Sequence, residues 1–362
     1  MKKLRIATMV TGHFTTPPAK GIIYAPMDIA TWVSEGLVRR GHRVDFYAPV
    51  GSKIKVTKVV SDGLQALKKN GEETVLKNLR AGGAEISKVF NLWDQYLIAQ
   101  MFKEAEKGNY DILHIHPADR ALPLALSHFK IPVVYTLHDP IYPWRAEIFK
   151  MFSSPNQHYV SISDAQRKPA PKLNYLATIY NGIDIDTFPF SRNSGDYLLF
   201  VGRLHPEKGV AEAVKVAQRS NEKLLIIGPP VTGKYWEKLV APYLNEKIKY
   251  LGYVPYKKLF PYYQKAKAIL VPIQWEEPFG LVMIEAMACG TPIIAFRRGS
   301  VPEVVVNNKT GFIVDTIDEM VAAVKKIDKI NRADCRRHVE KNFTIEHMVD
   351  RYEEEFLKLV SS

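Results

Sequence analysis

Residues 276–290 read Glu-Glu-Pro-Phe-Gly-Leu-Val-Met-Ile-Glu-Ala-Met-Ala-Cys-Gly. The apolar run just before them, 268–273, reads as a buried strand, and the stretch itself then opens a helix. Pro278 and Gly280 shape the turn between the two. Glu277 falls where the strand hands over to the helix, and Glu285 stands eight positions on, within the helix. A short apolar strand running straight into a helix is part of a βαβ unit, so this junction decides how the flanking sequence is read.

The same alternation continues outward. Strands are predicted at 197–201, 224–227, 248–251 and 292–295, with helices over 207–219 and 255–264 and through most of 316–360. An earlier series places strands at 4–10, 43–48, 111–115, 132–136 and 158–162. In that series 28–40 is a helix closed by Gly41, residues 60–107 are mostly helical, and Ser163 or Asp164 caps a short helix. Such alternation implies parallel sheets covered on both faces by helices. Two series in 362 residues imply two doubly wound α/β domains. Pro189, Ser191, Asn193, Ser194 and Gly195 mark 184–196 as the linker, giving domains 1–188 and 189–343 and a terminal helical segment, 344–362.

The net charge is +12, of which residues 1–190 carry +7 and the remainder +5. Much of the first excess lies among Lys53, Lys55, Lys58, Lys68, Lys69, Lys77, Arg80 and Lys88. It reads either as a solvated surface or as a surface for an anionic partner, a nucleotide or an anionic membrane among them. No basic–aromatic interleaving or known module supports nucleic acid. The two cysteines, Cys289 and Cys335, form no CxxC or Cys/His cluster, so neither a disulfide framework nor a zinc site is indicated. The charged start and short apolar run at 1–10 end at Thr11-Gly12-His13, and read as a first strand rather than a signal peptide. No stretch approaches the roughly 18 apolar residues of a membrane span. The expected compartment is cytoplasmic, with peripheral contact at an anionic membrane left open.

In doubly wound sheets ligands gather outside the carboxyl ends of the strands. Gly202-Arg203-Leu204-His205-Pro206-Glu207-Lys208-Gly209 follows one such end. Arg203 offers a bidentate phosphate contact, Lys208 a point charge, and the helix start backbone donors, which together make a diphosphate clamp. Vicinal ribose hydroxyls would give Glu285 two donors, and Glu277 would take hydroxyls of a second sugar. The set suits a sugar nucleotide. The rival reading makes the two carboxylates a glycosidase acid and nucleophile, but a glycosidase has no phosphate for the cationic clamp to neutralise. His138 either contacts the donor sugar or acceptor, with Asp139 fixing its ring, or is structural. His114 and His116 alternate on one strand, face the same side, and read as lining or packing. Gly21, in the loop after the first strand, would let backbone approach a phosphate closely. The backbone of Gly252-Tyr253-Val254-Pro255 either reads a nucleobase edge or simply turns from strand to helix.

The chain resembles the retaining glycosyltransferases of family 4, also called glycosyl transferases group 1. The matching pieces are Arg40-Gly41-His42-Arg43-Val44, Thr136-Leu137-His138-Asp139, Tyr180-Asn181-Gly182-Ile183-Asp184, Phe200-Val201-Gly202-Arg203 with Glu207-Lys208-Gly209, and the Glu277 to Glu285 motif. To these are added Gly290-Thr291-Pro292-Ile293-Ile294-Ala295, the segment from Gly299 to Glu303, and Thr310-Gly311-Phe312. Many relatives carry paired glycines in the first loop, where this chain has Lys20-Gly21-Ile22-Ile23. The resemblance implies a GT-B fold, two Rossmann-like domains facing across a cleft, with the last helix crossing back to the first domain. It further implies Arg203 and Lys208 on the donor diphosphate, Glu285 on the ribose, and Glu277 with the backbone of Phe279, Gly280 and Leu281 on the sugar and phosphate. His138 would lie near the reactive side of the sugar and Gly21 at the phosphate-facing loop. The implied chemistry is metal-independent front-face transfer of a hexose to a hydroxyl acceptor, without a cofactor, from UDP-glucose or a related UDP-sugar, with GDP-mannose next. The alternatives are a sugar-nucleotide epimerase or phosphorylase on the same scaffold, or a membrane-docking sugar-nucleotide-binding protein.

Overall fold

The computed structural model describes residues 2–18, 24–67, 74–83, 85–128, 130–229 and 232–361. They fall into two compact units, Met1–Ile162 with Arg167–Tyr180 and Ile345–Ser362, and Asn181–Thr344 with Ser163–Gln166.

The first unit is built on β1 (Arg5–Met9), β2 (Arg43–Tyr47), β3 (Lys58–Val60), β4 (Ile112–Ile115), β5 (Val133–Thr136), β6 (Gln157–Ser161) and β7 (Tyr175–Thr178). Their order in one parallel sheet is β3-β2-β1-β4-β5-β6-β7. Successive strand residues face opposite sides, and in β1, β2, β4, β5 and β6 both sides are largely buried, which is why these strands read as apolar runs. Ile6, Ile112, Val134 and Val160 pack with Ile29, Val33 and Leu37 of the helix Ala25–Arg39 and with Val349, Tyr352 and Phe356 of the helix Ile345–Ser361. Ala7, Leu113, Val133 and Tyr135 pack on the other side with Leu97, Met101 and Phe102 of the helix Ile86–Glu106. The terminal helix crosses Ala25–Arg39 at Gly36, where a Cβ would stand 2.6 Å from Val349 Cγ2. Glu353 adds an ion pair to Arg40 at 3.1 Å and a hydrogen bond to His42 Nε2 at 2.8 Å.

The second unit contains β8 (Tyr197–Val201), β9 (Lys223–Ile227), β10 (Ile248–Tyr250), β11 (Ala266–Val271), β12 (Ile293–Phe296) and β13 (Gly311–Val314), in the parallel order β10-β9-β8-β11-β12-β13. Buried Arg332 ties its N-terminal edge together: the guanidinium donates to the carbonyls of Ser191, Gln264 and Ala266 and to Thr291 Oγ1, at 2.6–3.0 Å.

Three expectations need correction. The units divide after Tyr180, not at 188/189. The segment read as a linker is packed within the second unit: Phe188 is buried beside the Phe260 ring, its carbonyl accepts from Arg336, and the Ser191 N–H donates to the Cys289 carbonyl at 3.1 Å. Its Pro, Ser, Asn and Gly residues encode turns, not slack. The helix expected from 207 starts at Val210, after a single 3-10 turn, Pro206–Lys208, and Gly209 at φ +74°. No helix among the described residues is long and apolar enough to cross a membrane.

Candidate functional site

In the second unit β8 is flanked by β9 on one side and β11 on the other, so the chain leaves β8 and β11 in opposite senses and a crevice opens at their carboxyl ends. The loops after these two strands carry the clamp and the carboxylate motif. They are joined directly, since the Gln274 N–H donates to the Glu207 carbonyl at 2.7 Å. Gly209 permits the contact: a Cβ there would stand 1.9 Å from the Pro272 carbonyl oxygen, at a φ that side chains disfavour.

Lys208 and Glu277 meet in this crevice. Lys208 Nζ lies 2.5 Å from Glu277 Oε2, and the side chains are 20% and 11% exposed. Trp275 completes the group: its Nε1–H donates to the same Oε2 at 2.9 Å, and Lys208 Nζ stands 4.6 Å from its ring centroid. The turn behind them is braced by 299–300. Ser300 donates its N–H to the Glu277 carbonyl and its hydroxyl to the Phe279 carbonyl, and the Gly299 N–H donates to Glu276 Oε2 at 2.6 Å. Gly299 lies so close that a Cβ would sit 2.4 Å from the Glu277 nitrogen.

Gly280, at φ +81°, precedes the helix Leu281–Ala288, whose first-turn N–H groups face the loop end with the positive end of the helix dipole. Phe279 keeps its backbone at this turn while its side chain is buried edge-on to Phe343. On the same helix Glu285 is buried, and its Oε2 accepts from the Tyr263 hydroxyl at 2.8 Å. Burial and this carboxylate hold the Tyr263 phenol far above its ordinary range, so it stays a donor.

Arg203 is exposed on the loop after β8 and forms no ion pair among the described residues. Val254 lines a groove of about 730 Å³ with Tyr197, Leu225, Tyr253 and Tyr262, none of them members of the clamp. Gly202, Gly228 and Gly252 bring the ends of β8, β9 and β10 together: a Cβ on Gly228 would stand 2.1 Å from the Gly202 carbonyl oxygen, and the Gly228 N–H donates to the Gly252 carbonyl at 3.0 Å. Gly21 lies outside the described residues.

In the first unit His138 follows β5 and is held by His116. His116 Nδ1 and His138 Nε2 are 2.7 Å apart with the rings stacked at 5.0 Å. His114 bonds Thr136 Oγ1 at 2.8 Å, and Thr136 in turn bonds the Tyr352 hydroxyl. Burial depresses all three imidazoles, His114 and His138 to about 3 and His116 well below the ordinary 6.5, so each is neutral near pH 7. The loop after β1 is anchored by buried Asp94, which accepts from the Gly12 N–H at 2.6 Å and pairs with Arg120 at 3.0 Å.

Family models match the chain end to end across its middle: Glycosyltransferase Family 4 over residues 31–187 and Glycosyl transferases group 1 over 185–343. The chain belongs to glycosyltransferase family 4. This glycosyltransferase is 23% identical over 304 residues to the putative glycosyltransferase YtcC of Bacillus subtilis, covering 69% of the chain and 73% of YtcC. The sucrose-phosphate synthase of Thermosynechococcus elongatus shares its fold with a TM-score of 0.75, 18% identity and 99% of each chain covered. HepE from Anabaena, solved in complex with UDP-glucose, does so with a TM-score of 0.67 and 14% identity, covering 98% of this chain and 99% of that one. The two parallel α/β sheets are thus those of a GT-B glycosyltransferase.

Trp275, Tyr263 and Asp94 escaped the sequence reading, and His116, read as lining or packing, is the group that holds His138. Trp275 carries a usable signal, an indole next to the motif's first carboxylate. Tyr263 and Asp94 carry none, because each reaches its partner only through tertiary folding.

Proposed function

We propose that this glycosyltransferase moves a hexose from a nucleotide diphosphate sugar to an acceptor hydroxyl with retention of anomeric configuration, with UDP-glucose or a related UDP-sugar first among donors and GDP-mannose next. The observation that carries the reading is the Lys208–Glu277 pair in the β8/β11 crevice beside the start of the helix Leu281–Ala288. A lysine, a helix N-terminus and a carboxylate together match a diphosphate joined to a polyol. Lys208 and Arg203 would neutralise the diphosphate, with the backbone of Phe279, Gly280 and Leu281 completing its cradle. Glu277 would hold sugar hydroxyls, and Glu285, steadied by Tyr263, the ribose. Backbone near Val254 would meet the base. The complex of HepE with UDP-glucose favours the uridine donor.

In the proposed step the acceptor oxygen bonds to C1 on the face from which the C1–O(phosphate) bond breaks, and the acceptor proton passes to a donor phosphate oxygen. The protein contributes position and charge stabilisation of the leaving diphosphate. With Arg203 and Lys208 supplying that charge, the scheme needs no divalent ion. His138, neutral near pH 7, serves as a hydrogen-bonding group toward the sugar or the acceptor. The acceptor is a sugar, a lipid-linked sugar or a small molecule, and peripheral contact with an anionic membrane fits the basic segment 53–88. A screen of UDP-, GDP- and ADP-sugars with NMR of the product tests this: turnover of a UDP-sugar to a product of unchanged anomeric configuration supports it, and an inverted product overturns the mechanism.

A further inference from the structure

Trp275 touches both charged members of the crevice. Its indole N–H and the Lys208 ammonium donate to the same oxygen, Glu277 Oε2, at 2.9 and 2.5 Å. Glu277 Oε1 has no hydrogen bond or ion pair among the described residues. Nothing intrinsic to a glutamate side chain makes this distinction, since its terminal torsion is broad and the two oxygens are interchangeable. Two donors arriving on one oxygen fix the carboxylate plane. The ammonium, meanwhile, lies 4.6 Å from the indole centroid, and that contact uses ring electrons and leaves its remaining N–H groups for other acceptors.

We propose that Trp275 is a positioning residue that assigns different work to the two oxygens of Glu277: Oε2 is anchored to the protein, and Oε1 is turned toward the sugar hydroxyls of the donor. Lys208 then bridges Glu277 and the diphosphate instead of choosing between them. Trp275 thereby governs how well the transferred sugar is recognised, while the nucleoside diphosphate is gripped independently of its N–H. This rests on the donor-site reading above.

The substitution Trp275→Phe keeps a ring beside the ammonium and removes the N–H. The probes are whichever of UDP-glucose, GDP-mannose and ADP-glucose the wild type turns over fastest, and the matching free nucleoside diphosphate as inhibitor. Loss of a hydrogen bond to a charged group is expected to lower kcat/KM for the nucleotide sugar roughly 10- to 100-fold. The inhibition constant of the nucleoside diphosphate should stay within about twofold, a split that general loosening of the loop would not produce. Trp275→Tyr, which likewise keeps a ring and removes the indole N–H, is expected to show the same split and serves as the second variant should the first fail to fold. Wild-type kcat/KM in Trp275→Phe, or a parallel loss of both quantities, overturns the assignment. Glu277→Gln and Lys208→Ala run alongside. Full transfer in those two would sink the donor-site reading itself, whereas their loss beside an unaffected Trp275→Phe would sink only the role of Trp275.

Discussion

Replacing Lys208 and Glu277 singly and together separates what their ion pair does for the fold from what it does for catalysis. In Lys208→Met the Glu277 carboxylate, 11% exposed, is left with the Trp275 N–H on Oε2 and no cation. Breaking a fully buried pair from one side costs about 3–5 kcal/mol, and an exposed pair contributes under about 1 kcal/mol. With both groups partly reached by solvent, the single substitution is expected to destabilise by about 1–3 kcal/mol. Glu277→Gln leaves an ammonium that can turn to water and is expected to cost less. The double variant removes both charges and is expected to recover part of the loss, giving a coupling of about 1–2 kcal/mol in urea unfolding of the four proteins. Activity should follow the opposite pattern. Each single variant is expected to lose donor turnover by about 10²-fold or more, and the double variant to be no better, because the proposed donor site uses both groups. A coupling of zero with Lys208→Met as stable as wild type would refute the pairing. Recovery of turnover in the double variant would show the pair to be structural only.

Gly36→Ala places a methyl 2.6 Å from Val349 Cγ2 and is expected to cost about 1–3 kcal/mol in thermal unfolding, with Val349→Ala in the same chain returning part of it. Tyr263→Phe removes the donor from buried Glu285 and is expected to raise the donor KM about tenfold while kcat moves little. His114 and His138, lowered to about 3 by burial, bind fewer protons when folded than the unfolded chain does below pH 6.5. Their contribution is therefore complete above about pH 6.5 and is lost as pH falls toward 3, by up to about 1.4 kcal/mol per unit for each histidine. Unfolding free energy between pH 7 and 4 should show this slope, and His114→Gln should flatten it.

What was legible in the sequence followed from burial on both faces of each sheet. Strands such as Tyr197–Val201 and Ile293–Phe296 are continuous apolar runs because helices cover them on each side, and their ends locate the loops that matter. The edge strands of the first sheet were not legible. Lys58–Val60 is three residues long and only part-buried, and Tyr175–Thr178 is part-buried throughout, so neither makes an apolar run. The helices Ala118–Ser127 and Pro143–Met151 were not among the predicted elements; Pro123 lies inside the first, where proline disfavours helix, and Pro143 opens the second. Within the site, Lys208 and Glu277 could be nominated from residue type and place, but their contact depends on Gly209 lying against Pro272, a closeness only the folded chain displays. The Tyr263–Glu285 bond spans 22 residues of sequence and leaves no local trace.

The loops after β8 and β11 are proposed to hold the donor, and the most direct test is transfer by Lys208→Ala and Glu285→Ala across UDP-, GDP- and ADP-sugars, with melting temperatures measured on the same samples. Loss of transfer by about 10²-fold or more in both variants, while each still unfolds cooperatively, is the expected result. Wild-type transfer in both folded variants would contradict it.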